Sequence, residues 1–234
     1  MTTWQEWEAE LAGRLAAASP DERVVFAVGV AERLMRAEEA LPAQEQAEYA
    51  LGLRPMLNAL WEAALGNPSG FGEIKHGLGE YLLSEYCHND GQHGPGDADE
   101  PAAAAVLHTA VAYLFGAGES VSRVSSRAVE AADARLNADA RLNAGDERAN
   151  AGDERANAGD SDSGDGDGDG DGDSNAVDPD EVLTAEVRRQ LRDLALIAQY
   201  GASLRHARLG LDIDTSARLH RALRVPLSSV EADA

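Results

Sequence analysis

SPDERVVFAVGVAERLMRAEEA, from Ser19 to Ala40, decides the fold. Ser19 is a cap serine, Pro20 sits at the first helical position where its missing N–H costs nothing, and Glu22 follows the cap by three. Val24, Val28, Ala31 and Met35 then recur at helical spacing, flanked by Phe26, Val30 and Leu34. A helix apolar on adjoining faces cannot lie on a surface, so it is expected at the centre of a helical bundle.

The same grammar extends outward. Thr3 and Glu6 suggest a capping box ahead of Trp4, Trp7, Leu11 and Leu15. Pro42 is expected to open a further helix that Pro55 interrupts, with Met56, Leu57, Leu60, Trp61 and Ala64 as its buried face up to Gly66-Asn67-Pro68. Phe71, Ile74, Leu78, Tyr81 and Leu82 repeat the period. Asp99 is expected to cap an Ala-rich helix carrying Val106, Leu107, Val111 and Leu114, broken at Gly116-Ala117-Gly118; another helix starts near Glu119. Asp178-Pro179-Asp180-Glu181 restarts a helix with Leu183, Val187, Leu191, Leu194, Ile197 and Leu204 on one stripe, and a last one spans Thr215 to Leu223. No segment alternates like a strand.

The class is therefore all-α, a multi-helix bundle of about seven to eight helices interrupted by a disordered acidic Gly/Asp loop. Residues 1–143 form the helical bundle, 144–177 a low-complexity acidic insertion, and 178–234 C-terminal helices that pack on the same domain. The insertion contains GDERANA twice and then GDSDSGDGDGDGDGDSN; it offers almost no apolar area to offset the ordering entropy of its backbone. Between Gly145 and Glu181, fourteen acidic side chains face Arg148 and Arg155. That is −12 of the total −22, which leaves the remaining 197 residues at −10.

Charge and composition exclude several functions. An acidic chain lacks the basic face that phosphate backbones need, so nucleic-acid binding is not expected. Lys75 is the single lysine and no glycine-rich phosphate loop precedes it. Cys87 is the single cysteine, which rules out an internal disulfide and a four-cysteine zinc site. MTTWQEWEAEL lacks the basic and apolar parts of a secretory signal, and no apolar run reaches 18 residues, so a cytoplasmic protein without membrane contact is expected.

Few motifs carry chemistry. Asp167, Asp169, Asp171, Gly172 and Asp178 fall on calcium-loop positions, but the final bidentate glutamate and an entering helix are missing, so the tract reads as a spacer. Glu73 with His76 and Glu85 with His88 form two ExxH pairs, and Glu32 and Glu62 could complete a di-metal set; on one continuous helix the pairs would be about 18 Å apart and about 120° out of phase. The densest polar cluster is Cys87 to Asp99, where Cys87, His88, His93 and Asp97 are candidate metal ligands, against a structural loop as the alternative. In the C-terminal part, Arg188, Arg192, Arg205 and Arg208 are candidate partner contacts on a locally basic stretch. No GxSxG, HExxH or GxGxxG motif is present.

Four segments together resemble the YjaG-like family of uncharacterised bacterial proteins: the opening Trp4, VVFAVGVAERLMRAEEAL, RPMLNALWEAALG, and EPAAAAVLHTAVAYLFGAGESVSRVSSRAVEAA. The likeness spans roughly residues 4–132. It implies a helical cytosolic domain and brings neither an activity nor catalytic residues.

The functional reading is a non-enzymatic protein-binding module, with no cofactor implied and another protein or a second copy as partner. Two alternatives stand beside it: an immunity-type inhibitor of a bacterial toxin, and a ligand- or metal-dependent enzyme or sensor that uses the Cys87–Asp99 loop.

Overall fold

Ser19 caps helix α2 (Pro20–Glu39) in the computed structural model, which describes residues 4–84, 87, 100–136, 179–205 and 211–224. The Glu22 N–H donates to the Ser19 hydroxyl at 3.3 Å, and the Ser19 N–H donates to the Glu22 carboxylate at 2.7 Å. Amides that the helix start leaves without partners are thereby satisfied. Every residue from Val25 to Met35 is buried, and α2 runs through the centre of an all-helical bundle.

Around it stand α1 (Trp4–Ala17), α3 (Glu48–Gly52), α4 (Arg54–Ala64), α5 (Phe71–Leu83) after a 3-10 turn at Pro68–Gly70, α6 (Pro101–Phe115) and α7 (118–136). Beyond the insertion follow α8 (Pro179–Gln199), α9 (Gly201–Arg205) and α10 (Ile213–Leu223). Helix α2 packs on α3, α4, α6, α8, α9 and α10, while α8 also lies along α1. Its broadest contact is with α6, whose residues Ala102 to Ala110 are all buried; the small alanines let the two backbones come close. One apolar core takes residues from both sides of the insertion: Val187, Leu191, Ile197, Leu219 and Leu223 pack with Val25, Leu57 and Val106.

Several boundaries differ from the sequence reading. Residues 42–47 are not helical; Gln46 instead donates its side-chain amide to the carbonyls of Glu39 and Leu41, closing a turn. Pro55 does not interrupt a helix but lies in the first turn of α4, where a proline fits without losing a hydrogen bond. The expected single element thus divides into α3 and α4, and α9 is a further short helix, which brings the described residues to ten α-helices with the short ones counted. The N-cap position of α6 falls at Glu100, one residue after the expected Asp99 and without a side-chain cap bond, with Pro101 at the first helical position. Gly116 ends it in the left-handed conformation at φ 67°, as the Gly116-Ala117-Gly118 break requires. Thr3, the insertion at 144–177 and most of the Cys87–Asp99 loop lie outside the described residues.

Candidate functional site

A pocket of about 680 Å³ opens where α3 and α4 meet α5. Gly77 lies at the contact of α5 with α4: a Cβ on it would sit 3.0 Å from Met56 Sδ, so the methionine side chain would have to give by a few tenths of an ångström to admit one. Leu53, Met56 and Tyr81 supply a buried floor. Exposed Glu48, Glu73, His76 and Glu80 form the rim, with His76 Nε2 3.3 Å from Glu80 Oε1. Among the described residues, no lysine or arginine lines it.

Two tyrosine phenols stand at the aromatic end of the pocket. The Tyr49 and Tyr81 rings stand 6.4 Å apart. Burial pushes the Tyr81 phenol well above its ordinary range, and Cys87 beside it adds to the shift. Burial also raises Tyr49; a hydrogen bond with Ser84 opposes this, and Glu100 and Cys87 reinforce it. Both phenols therefore stay neutral donors at physiological pH.

Two buried ion networks lie on the opposite flanks of α2. Arg33 is fully buried; its NH1 donates to Asp193 at 2.5 Å and its NH2 to Glu186 at 3.3 Å. Arg189 also donates to Asp193, and Gln190 ties Glu186 to Ser125 of α7 through bonds of 2.8 and 2.5 Å. Burial alone would favour a neutral Arg33, but Asp193 and Glu186 outweigh it and hold the cation. On the other side, fully buried Glu32 accepts from Arg36 Nε (2.9 Å), Arg224 Nε (2.8 Å), Arg54 NH1 (2.7 Å) and Trp61 Nε1 (3.1 Å). Burial pushes its carboxyl up, yet Arg54, Arg36, Arg224 and Trp61 together bring it below the ordinary value.

The residues singled out by sequence scatter across this frame. Cys87 is partly buried next to Tyr81, while His88, His93 and Asp97 lie outside the described residues. Among the described residues, no group of three or more His, Cys, Asp or Glu is placed to hold a metal ion. Glu73 and His76 do share the pocket, but His76 pairs with Glu80, Glu62 bonds Asn67 and Ser69, and Glu32 is held by arginines. The di-metal arrangement is therefore not assembled from these four. Arg188 stacks on Trp7 at 5.0 Å from the ring centroid and Arg192 is exposed. The Arg205 side chain and Arg208 lie outside the described set.

Sequence reasoning missed Tyr49, Glu48 and Glu80, because a pocket between three helices has no periodic signature. It considered Glu32 only as a metal ligand and missed Arg33, although a charged pair inside an apolar run was the available signal. Among the described residues, no helix is long and apolar enough to cross a membrane. No family model, curated protein or solved structure matches this chain.

Proposed function

We propose that this chain is a non-enzymatic protein-binding module that receives a basic segment of a partner in the pocket between α3, α4 and α5. The observation that carries this reading is a rim of Glu48, Glu73 and Glu80, with His76 beside Glu80, over an apolar and tyrosine floor, and no lysine or arginine among the described residues that line it. A lysine or arginine side chain fits that arrangement, its aliphatic stem on Leu53 and Met56 and its charged head among Glu48, Glu73 and Glu80. The volume falls within the roughly 300–1,000 Å³ common for ligand sites. A net charge of −22 also favours encounter with basic partners over acidic ones.

An immunity-type inhibitor of a basic bacterial toxin is one concrete form of this module, acting in the cytoplasm. Kinship with the YjaG-like family over residues 4–132 belongs to the same proposal and rests on the helix patterns quoted above.

Calorimetric titration with an arginine-rich peptide tests the reading. Binding is expected to weaken as salt rises from 50 to 200 mM and about tenfold or more in the Glu73→Gln/Glu80→Gln double variant. No heat from the intact chain, or equal affinity for the variant, would sink it. The enzyme or sensor alternative draws on Cys87 beside Tyr81. It requires stoichiometric metal or a ligand-dependent melting shift that Cys87→Ala abolishes.

A further inference from the structure

Glu32 is surrounded by more positive charge than it can balance. Arg36 reaches it from one turn further along α2, Arg54 from the start of α4 and Arg224 from the end of α10. Three guanidiniums meet two carboxylates, since Arg54 also bonds Glu39 at 2.7 Å. One arginine would suffice to neutralise Glu32.

The way they bind matters more than their number. Arg36 and Arg224 each engage the same oxygen, Glu32 Oε1, and each does so through Nε. Their NH1 and NH2 groups, the donors that form a bidentate fork, bond no acceptor among the described residues. The two side chains are 40% and 28% exposed, so the forks reach solvent while their bases are anchored on a buried carboxylate. Trp61 Nε1 holds the other Glu32 oxygen, and His220 stacks edge-on against Trp61 at 4.6 Å, one turn before Arg224. Both guanidiniums are therefore oriented before any ligand arrives, and their mutual repulsion falls when a dianion sits between them.

We infer that Arg36 and Arg224 form an oxyanion site that takes a phosphate group, either free or carried on a partner. A tetrahedral dianion offers enough acceptor oxygens for two forks, which a single carboxylate does not. The overall acidity of the chain does not forbid it: the Debye length is about 8 Å at physiological ionic strength, so the groups at hand dominate, and around Glu32 these are three arginines against two carboxylates. This site lies apart from the acidic pocket and does not depend on its role.

The test uses the full chain, with inorganic phosphate and O-phosphoserine titrated at constant ionic strength against sodium chloride, read by thermal melting and by equilibrium dialysis of labelled phosphate. A saturable rise in Tm is expected, with about tenfold weaker binding in Arg36→Lys/Arg224→Lys. Lysine can keep one donor on Glu32 while losing the outward fork, so the fold is retained. Arg218→Lys, on the exposed face of α10, should bind phosphate unchanged. Equal affinity for both ligands identifies free phosphate, and tighter phosphoserine binding identifies a phosphorylated partner; either supports the site. No uptake in dialysis, or equal uptake by the double variant, overturns it whatever the melting temperatures do.

Discussion

Glu32 and Arg33 are neighbours in the most deeply buried helix, yet about 100° of helical rotation sends them to opposite flanks of it. Arg33 meets Asp193, 160 residues away in sequence, so nothing local could have named its partner. What the sequence did offer was the oddity of a charged pair between Ala31 and Leu34, which a buried helix tolerates only if both charges are met inside. Replacing Arg33 by Met leaves buried Glu186 with only the neutral Gln190 amide and Asp193 with only Arg189, and urea unfolding at pH 7 should show a loss of about 3–5 kcal/mol. Adding Glu186→Gln and Asp193→Asn to that variant should recover part of it, because the orphaned charges are then gone. His220 adds a pH dependence. Burial, with Arg224 next in importance, holds its ring below the ordinary 6.5, so the unfolded chain takes up this proton first as pH falls. Stability from the neutral ring is full above pH 6.5 and is lost as acidification proceeds toward the folded value. In His220→Phe, which keeps a ring for Trp61 to meet, the decline in melting temperature between about pH 6.5 and 5.5 should be shallower; an unchanged slope would show that His220 does not contribute it.

Helix α2 was legible end to end because its cap, its proline and its apolar run all point the same way. Helix α3 was not, because five residues carry less than two turns of periodicity and its start at Glu48 has no side-chain cap. Pro55 misled for a related reason: a proline marks a helix start or a helix break equally well, and only tertiary packing decides which. The pocket inherits this opacity, since its walls come from α3 and from the packing of Gly77 on Met56. Glycines inside helices allow a sharp comparison. Gly13 in α1 is exposed with open space around it, and Gly13→Ala should stabilise by about 0.5–1 kcal/mol through helix propensity alone. Gly29 in α2 would place its Cβ 3.1 Å from Leu223 Cβ, an atom that no side-chain rotation can move, in a residue that is fully buried. Gly29→Ala should therefore lower stability despite the same propensity gain, and chemical denaturation of the two variants side by side gives opposite signs if α10 is seated firmly on α2.

At the scale of the whole molecule, the helices on either side of residues 144–177 depend on each other for both apolar and charged contacts. Val187, Leu191, Leu219 and Leu223 complete the core around α2, and Glu186 with Asp193 supplies the counter-charges for Arg33. This mutual need has a direct consequence for fragments. A 1–143 piece would keep Arg33 in an apolar setting with no carboxylate and would expose the faces of α1 and α2 that α8 covers. It should lose cooperative melting and much of its helical circular dichroism, and adding a 178–234 peptide should restore both. A full chain nicked once within residues 145–175 should instead elute as a single species and melt close to the intact protein. Joining the halves by a covalent loop contributes an entropic term that changes by only about 0.6 kcal/mol per doubling of loop length. If the 1–143 piece alone melts cooperatively at the temperature of the full chain, the contacts of α8 and α10 with α2 are not what holds the bundle, and Arg33 must find another way to be satisfied.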